Sequence, residues 1–276
     1  MNHPLNARPE QPTEQRETRH PLEQRATHPQ APPQPQSQPA PQRVTLPQSQ
    51  PILAYTLLGI NIAVFIADYY ILGGMLTALG AKVNEAIVAG EYWRFLTPMF
   101  LHASIAHLGM NCLSLYLVGR EVERLYGSRR FAAIYLMSGI AGGLFSFAMS
   151  PYPSVGASGA IFGLIGALLP FLYRNRGILL APRQHITRIL IVIGMNLVIG
   201  LTSGFIDNWA HFGGLLGGLA PGWFATPLFK IVRDEITQTI RIVDDSPRQT
   251  VWAVITVIGA LIVGMAYGLA VLRSLG

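Results

Sequence analysis

Ser150-Pro151-Tyr152-Pro153-Ser154-Val155-Gly156-Ala157-Ser158-Gly159, running on into the apolar segment Ala160 to Tyr173, joins a polar uncharged loop to a membrane-type helix. Gly156 and Gly159 put no side chains beside the Ser158 hydroxyl, so it can be approached closely. The start of a helix leaves backbone N–H donors unpaired, and its dipole favours developing negative charge. Together these features suit a nucleophile with an oxyanion site beside it. Gly-x-Ser-Gly equally suits close helix packing in a membrane bundle, so the surrounding chain has to discriminate between the two.

Outward from this stretch, half of the residues are hydrophobic and only 12% are charged, with a positive mean hydropathy. A soluble domain carries about 25% charge, so the chain reads as a membrane protein. From Pro51 on, seven apolar stretches approach or reach the roughly 20 residues that cross the hydrocarbon as a helix. They lie near 52–72, 103–119, 131–149, 158–173, 186–204, 209–229 and 251–272. The expected fold class is therefore all-α, a polytopic membrane helical bundle. The 28 glycines, mostly inside these stretches, fit tightly packed membrane helices.

Seventeen of the 20 Lys and Arg residues fall in the N-terminal tail or in the loops after spans two, four and six. Only Lys82, Arg94 and Arg273 fall on the opposite side. By the positive-inside rule the N-terminus is cytoplasmic and the C-terminus outside. The net charge of +6 is thus a topology signal and not a nucleic-acid footprint.

Residues 1–50 are a different polymer, with eleven of the 20 prolines and ten glutamines. They cannot bury enough apolar surface to offset ordering, so a disordered cytoplasmic tail is expected. The tail has no signal-peptide pattern, and its glutamates argue against a transit peptide. Its three histidines, His3, His20 and His28, lack ligand spacing. Cys112, the single cysteine, lies in an apolar run and reads as a small buried hydrophobe.

The remaining histidines separate the alternatives. His185 falls in a basic loop and is given no role, whereas His102 and His107 open span two and His211 lies near the start of span six. In the inferred topology all even spans run inward, so these residues and Ser158 reach one leaflet at similar shallow depth. His107 and Asn111 are four apart and share a helix face; His102 precedes that face. Polar groups at membrane depth are costly and mark a site facing the bundle interior or a water-filled cavity.

Read in order, Trp93-Arg94 in the long loop Gly73 to Leu101, His102-x4-His107-x3-Asn111, Gly156-Ala157-Ser158-Gly159 and Ala210-His211-x2-Gly214-x3-Gly218 resemble the rhomboid intramembrane serine proteases. The resemblance spans about 51–229 and implies a six-helix catalytic core. The segment 230–276 would be a cytoplasmic linker and a seventh transmembrane helix, similar to the six-plus-one arrangement of part of that family. It further implies Ser158 as nucleophile, His211 as general base, and His102, Asn111 and the Ser158 N–H as oxyanion donors, with His107 orienting the cluster. Trp93, Arg94, Gly156, Gly159, Gly214 and Gly218 would be structural, as would Glu123-Arg124-x2-Gly127. Phe162 stands where the family often packs an aromatic on the histidine. The implied substrates are membrane-anchored proteins cut in or beside a transmembrane segment that unwinds readily, and no cofactor or metal is implied. The expected setting is the cytoplasmic membrane of a bacterium. Asp207, four residues before His211, reads as a helix N-terminal carboxylate, since this family uses a Ser-His dyad.

Three other readings compete with this one. A catalytically silent rhomboid-like binding or trafficking factor predicts a missing Ser or His, and both are present. A zinc site from His102, His107 and His211 lacks His-Glu-x2-His and a base in the right leaflet. A transporter favours charged midplane pairs, whereas Asp68 lies near the end of its span. Water would reach the site through a cavity lined by the polar residues of span two. The long first loop, the end of span five and the loop near Phe205 to Asn208 are candidates for gating substrate.

Overall fold

The computed structural model describes residues 46–203, 206–233 and 239–274. The expected disorder of residues 1–45 and part of the gating loop at Phe205 lie outside them. Helices occupy all seven apolar stretches, and four are long and apolar enough to cross a membrane. The protein is a helical polytopic membrane protein.

Helix α1 (Ile52–Ile66) continues through a π turn, Ala67–Ile71. Its first amides are capped from a distance: the carboxylate of Glu123 accepts from Leu53 N at 3.0 Å and Ala54 N at 2.7 Å. A buried carboxylate thus serves donors that no intrahelical carbonyl can reach. Asp68 does the same for the next element, α2 (Met75–Gly80), accepting from Leu76 N, Thr77 N and the Thr77 hydroxyl. The long first loop then folds into α3 (Asn84–Val88) and two 3-10 turns, Tyr92–Phe95 and Thr97–Phe100.

Span two is one rod: α4 (Ile105–Ser114), a π turn over Leu115–Gly119, and α5 (Arg120–Tyr126). It ends at Gly127, whose φ of 82° suits glycine. The core beyond it is built from α6 (Ser128–Met149), α7 (Ser158–Arg174) and α9 (Asn208–Ala225), with α8 (Pro182–Ser203) between α7 and α9 in sequence.

These three core helices touch through their backbones. A Cβ on Gly214 would fall onto the Gly159 carbonyl and lie 2.9 Å from Gly159 Cα; one on Gly222 would lie 2.8 Å from Ala167 Cα. The adjacent face of α9 meets α6, where a Cβ on Gly213 would lie 2.7 Å from the Ala141 carbonyl oxygen and one on Gly217 2.5 Å from Ala141 Cβ. The doublets Gly213-Gly214 and Gly217-Gly218, four residues apart, therefore serve two neighbours at once. Small residues permit this approach in a bundle where dispersion, not the hydrophobic effect, draws helices together.

Span six ends earlier than the expected 229. Helix α9 stops at Ala225, because Pro227 holds Thr226 in extended backbone. What was expected to be a linker holds two antiparallel strands, β1 (Phe229–Arg233) and β2 (Ile240–Asp244), in register Phe229 to Asp244. The ribbon is fastened by an ion pair from Arg130 to Asp244 at 3.0 Å and by Phe229 N donating to Asn175 Oδ1 at 3.0 Å. Helix α10 (Arg248–Ser274) follows it.

Candidate active site

Helix α7 begins at Ser158 itself. The first intrahelical bond in this turn runs from Ile161 N to Ala157 O, which leaves the N–H groups of the three preceding helical residues without a backbone partner among the described residues. Gly156 turns the chain into the helix at φ 127°, a backbone that L side chains rarely adopt. Space imposes the same residue: a Cβ there would lie 2.7 Å from His107 Nε2 and 3.7 Å from Ser158 Oγ. The His107 ring and the Ser158 hydroxyl therefore border the same small space above Gly156.

Span two supplies the other polar groups. Ser104 caps α4 by accepting from His107 N at 3.1 Å, which fixes where the helix begins and so where His107 points. The rings of His102 and His107 meet edge to face at 5.2 Å. Asn111 is buried and donates through Nδ2 to the His107 carbonyl at 3.0 Å. Among the described residues, Oδ1 of Asn111 is buried without a hydrogen-bond partner, and the His102 ring is buried as well.

His211 approaches from α9. Its ring stacks on Phe162, one turn below Ser158, with centroids 4.2 Å apart and planes 11° apart. Gly159 and Gly214 bring α7 and α9 into backbone contact, and the His211 ring rests on Phe162, four residues after Ser158. No hydrogen bond joins the Ser158 hydroxyl to His211 among the described residues, and His211 Nδ1 is likewise unpartnered there. Catalytic hydrogen bonds commonly tighten only when substrate is present. Asp207 is the N-cap of α9, accepting from Ala210 N at 3.0 Å, and its other oxygen takes the Ser146 hydroxyl.

Trp93 and Arg94 lie away from Ser158, inside the first loop. The Arg94 guanidinium is buried, pairs with Glu91 at 2.7 Å and donates to the carbonyls of Ala78 and Ala81. Trp93 Nε1 donates to Leu79 O at 3.0 Å. Beneath the serine loop a cavity of about 30 Å³ is bordered by Lys82, Ser146, Ser154, Gly156 and Ala210, from the first loop, α6, α9 and the serine loop rather than from span two. Among the described residues no cluster of His, Cys, Asp or Glu could hold a metal ion. Lys82 and Ser146 carry no motif and were not singled out from sequence. The glycine doublets of α9 were visible there, although only Gly214 and Gly218 were read.

A family model described as the Rhomboid domain matches residues 89–228. The chain is 54% identical over 143 residues to Rhomboid protease GluP of Bacillus subtilis, a match that covers 52% of this chain and 28% of GluP. It is 38% identical over 138 residues to Putative rhomboid protease YdcA of the same organism, covering 49% of this chain and 68% of YdcA. With Rhomboid protease AarA of Providencia stuartii the identity is 31% over 198 residues, 60% of this chain and 69% of AarA. GluP thus extends well beyond the region that is matched.

Proposed function

Because the chain belongs to the rhomboid family of intramembrane proteases, we propose that it is a serine endopeptidase that cleaves membrane-anchored proteins in or beside a transmembrane segment, using Ser158 and His211. The observation that carries this reading is a glycine-flanked serine at the first turn of α7 together with a histidine ring from α9 stacked on Phe162, four residues further along the same helix.

In this mechanism His211 takes the proton of the Ser158 hydroxyl as Oγ attacks the scissile carbonyl carbon. The tetrahedral oxyanion accepts from the Ser158 N–H, from His102 and from the second N–H of Asn111 Nδ2. Such donors are worth about 2.7–4 kcal/mol each in a water-poor site. His211 then returns the proton to the leaving amine, and water hydrolyses the acyl-enzyme. His107 orients the cluster, its carbonyl already held by Asn111. A helical peptide bond is shielded by its own hydrogen bonds, so the substrate must unwind locally before attack. The charge pattern supports an active site on the non-cytoplasmic side.

The test is cleavage of a single-span membrane substrate by purified protein in liposomes, with Ser158→Ala, His211→Ala and a chelator control. Both variants are expected to lose cleavage and the chelator to have no effect. Activity surviving Ser158→Ala would sink the mechanism. A folded but inert wild type would favour the silent binding or trafficking factor.

A further inference from the structure

Lys82 is a long cationic side chain only 1% exposed, and among the described residues no carboxylate is bonded to it. Its ammonium donates instead to two main-chain carbonyls, Ser150 O and Tyr152 O, each at 2.8 Å. Its backbone pairs in both directions with Ser154, Lys82 N to Ser154 O at 2.9 Å and Ser154 N to Lys82 O at 3.0 Å. Two neighbours add to the same seam: Asn84 Nδ2 donates to Ser150 O at 3.1 Å, and Gly156 N donates to Pro98 O at 2.8 Å. From the other side Arg94 holds the Ala81 carbonyl at 2.7 Å, next to Lys82 in the chain.

All of these bonds except that of Arg94 fall on residues 150–156, the segment that leads into Ser158. A loop with two prolines and a glycine at positive φ has no secondary structure of its own to fix it. Burying an ammonium is costly unless it is hydrogen-bonded, and burial lowers the Lys82 pKa from 10.5 to about 8. An ammonium buried at that cost and, among the described residues, bonded to the serine loop alone does something an apolar side chain would not do.

We propose that Lys82 is a positioning residue for the proposed hydrolysis: it clamps the first loop onto the serine loop and so sets the Ser158 hydroxyl and the adjacent oxyanion N–H. The inference rests on Ser158 being the nucleophile. It predicts an effect on the chemical step, because the side chain reaches loop carbonyls and not the substrate.

The test is Lys82→Met, which keeps length and apolar volume and removes the donors. Expected outcomes are a kcat lower by about 10²-fold, the loss typical of an ångström-scale misplacement, with KM unchanged, and correspondingly slow labelling by a fluorophosphonate probe of activated serines. Hydrogen exchange at the Ser154 and Gly156 amides is expected to rise while α7 and α9 stay protected. A folded Lys82→Met with wild-type kcat and labelling, or one changed only in KM, would overturn the assignment. If that variant does not purify as a folded protein, the same readouts are taken on Lys82→Gln, which keeps a donor; collapse of both means that Lys82 serves the whole fold and the assignment fails. Ser158→Ala is run alongside. Cleavage surviving in it removes the serine mechanism itself, whereas cleavage lost in it and normal in Lys82→Met removes only the role of Lys82.

Discussion

Replacing Gly214 by alanine adds one methyl group where α9 crosses α7. The nearest atoms are backbone: the Gly159 carbonyl is overrun, and Gly159 Cα lies 2.9 Å from the new Cβ. Carbon atoms rest at about 3.5–4.0 Å, so the Cα alone demands an opening of about 0.6–1 Å and the carbonyl demands more. Overpacking of this kind costs about 1–3 kcal/mol, and the better helix propensity of alanine returns about 1 kcal/mol. The net loss of stability is therefore modest. Catalysis is expected to suffer more, because Ser158 and His211 sit on the two helices being separated, and a misplacement of about 1 Å costs about 10²-fold. Gly194→Ala in α8 and Gly264→Ala in α10 are the controls, since a Cβ at either meets nothing within 4 Å. Thermal unfolding in detergent and cleavage of one membrane substrate are measured on all three. The reasoning is refuted if Gly214→Ala cleaves at the wild-type rate, or if the controls lose as much activity as it does.

Glu123 is fully buried and holds Leu53 N, Ala54 N and the Ser128 hydroxyl; Glu123→Ala is expected to cost about 3 kcal/mol of stability, and an unchanged unfolding temperature would discount the capping account of α1. Asp207→Ala removes an N-cap and a bond from Ser146, so a loss of about 1 kcal/mol is expected with most activity kept; a loss of cleavage equal to that of His211→Ala in a folded protein would instead make Asp207 part of the chemistry. Burial lowers the Lys82 pKa from 10.5 to about 8, with Asp207 and Glu85 opposing and Arg273 adding to it, so between these values the unfolded chain binds the extra proton and folded-state stability rises with pH. Across that window the wild type is expected to gain about 3 kcal/mol relative to Lys82→Met, and parallel pH dependences in the two would contradict it.

Much of the bundle was legible because membrane spans are set by long apolar runs and their order by charge, both of which survive in a bare sequence. From the same two signals Ser158, His102, His107, Asn111 and His211 are expected at one leaflet, and the structure brings His107 against Gly156 beside Ser158 and His211 against Phe162. The handling of helix ends was less legible. Glu123 caps α1 from 70 residues away and Asp68 caps α2 across a turn, and neither pairing has a local pattern. The ribbon Phe229 to Asp244 escaped notice because its strands are only five residues each and lie between two helices in a segment read as linker. Lys82 was counted merely as one of three charges on the minority side. Nothing local distinguishes a solvated lysine from one threaded beneath a loop 68 residues away.

The polar groups of the candidate site are held mainly by packing. His211 is fixed by the face of Phe162, His102 by the edge of His107, and Gly156 by the lack of room for any side chain. Each buried nitrogen or oxygen that has no partner costs about 1–3 kcal/mol, and Asn111 Oδ1 and His211 Nδ1 are two such atoms among the described residues. Such atoms persist only if their scaffold cannot relax to satisfy them. The backbone-to-backbone contacts of α6, α7 and α9 supply that stiffness, and the clamp from Lys82 extends it to a loop that would otherwise have none. The glycines and the lysine therefore belong to one device. On the proposed mechanism they hold the Ser158 N–H and its neighbours in place for a developing negative charge.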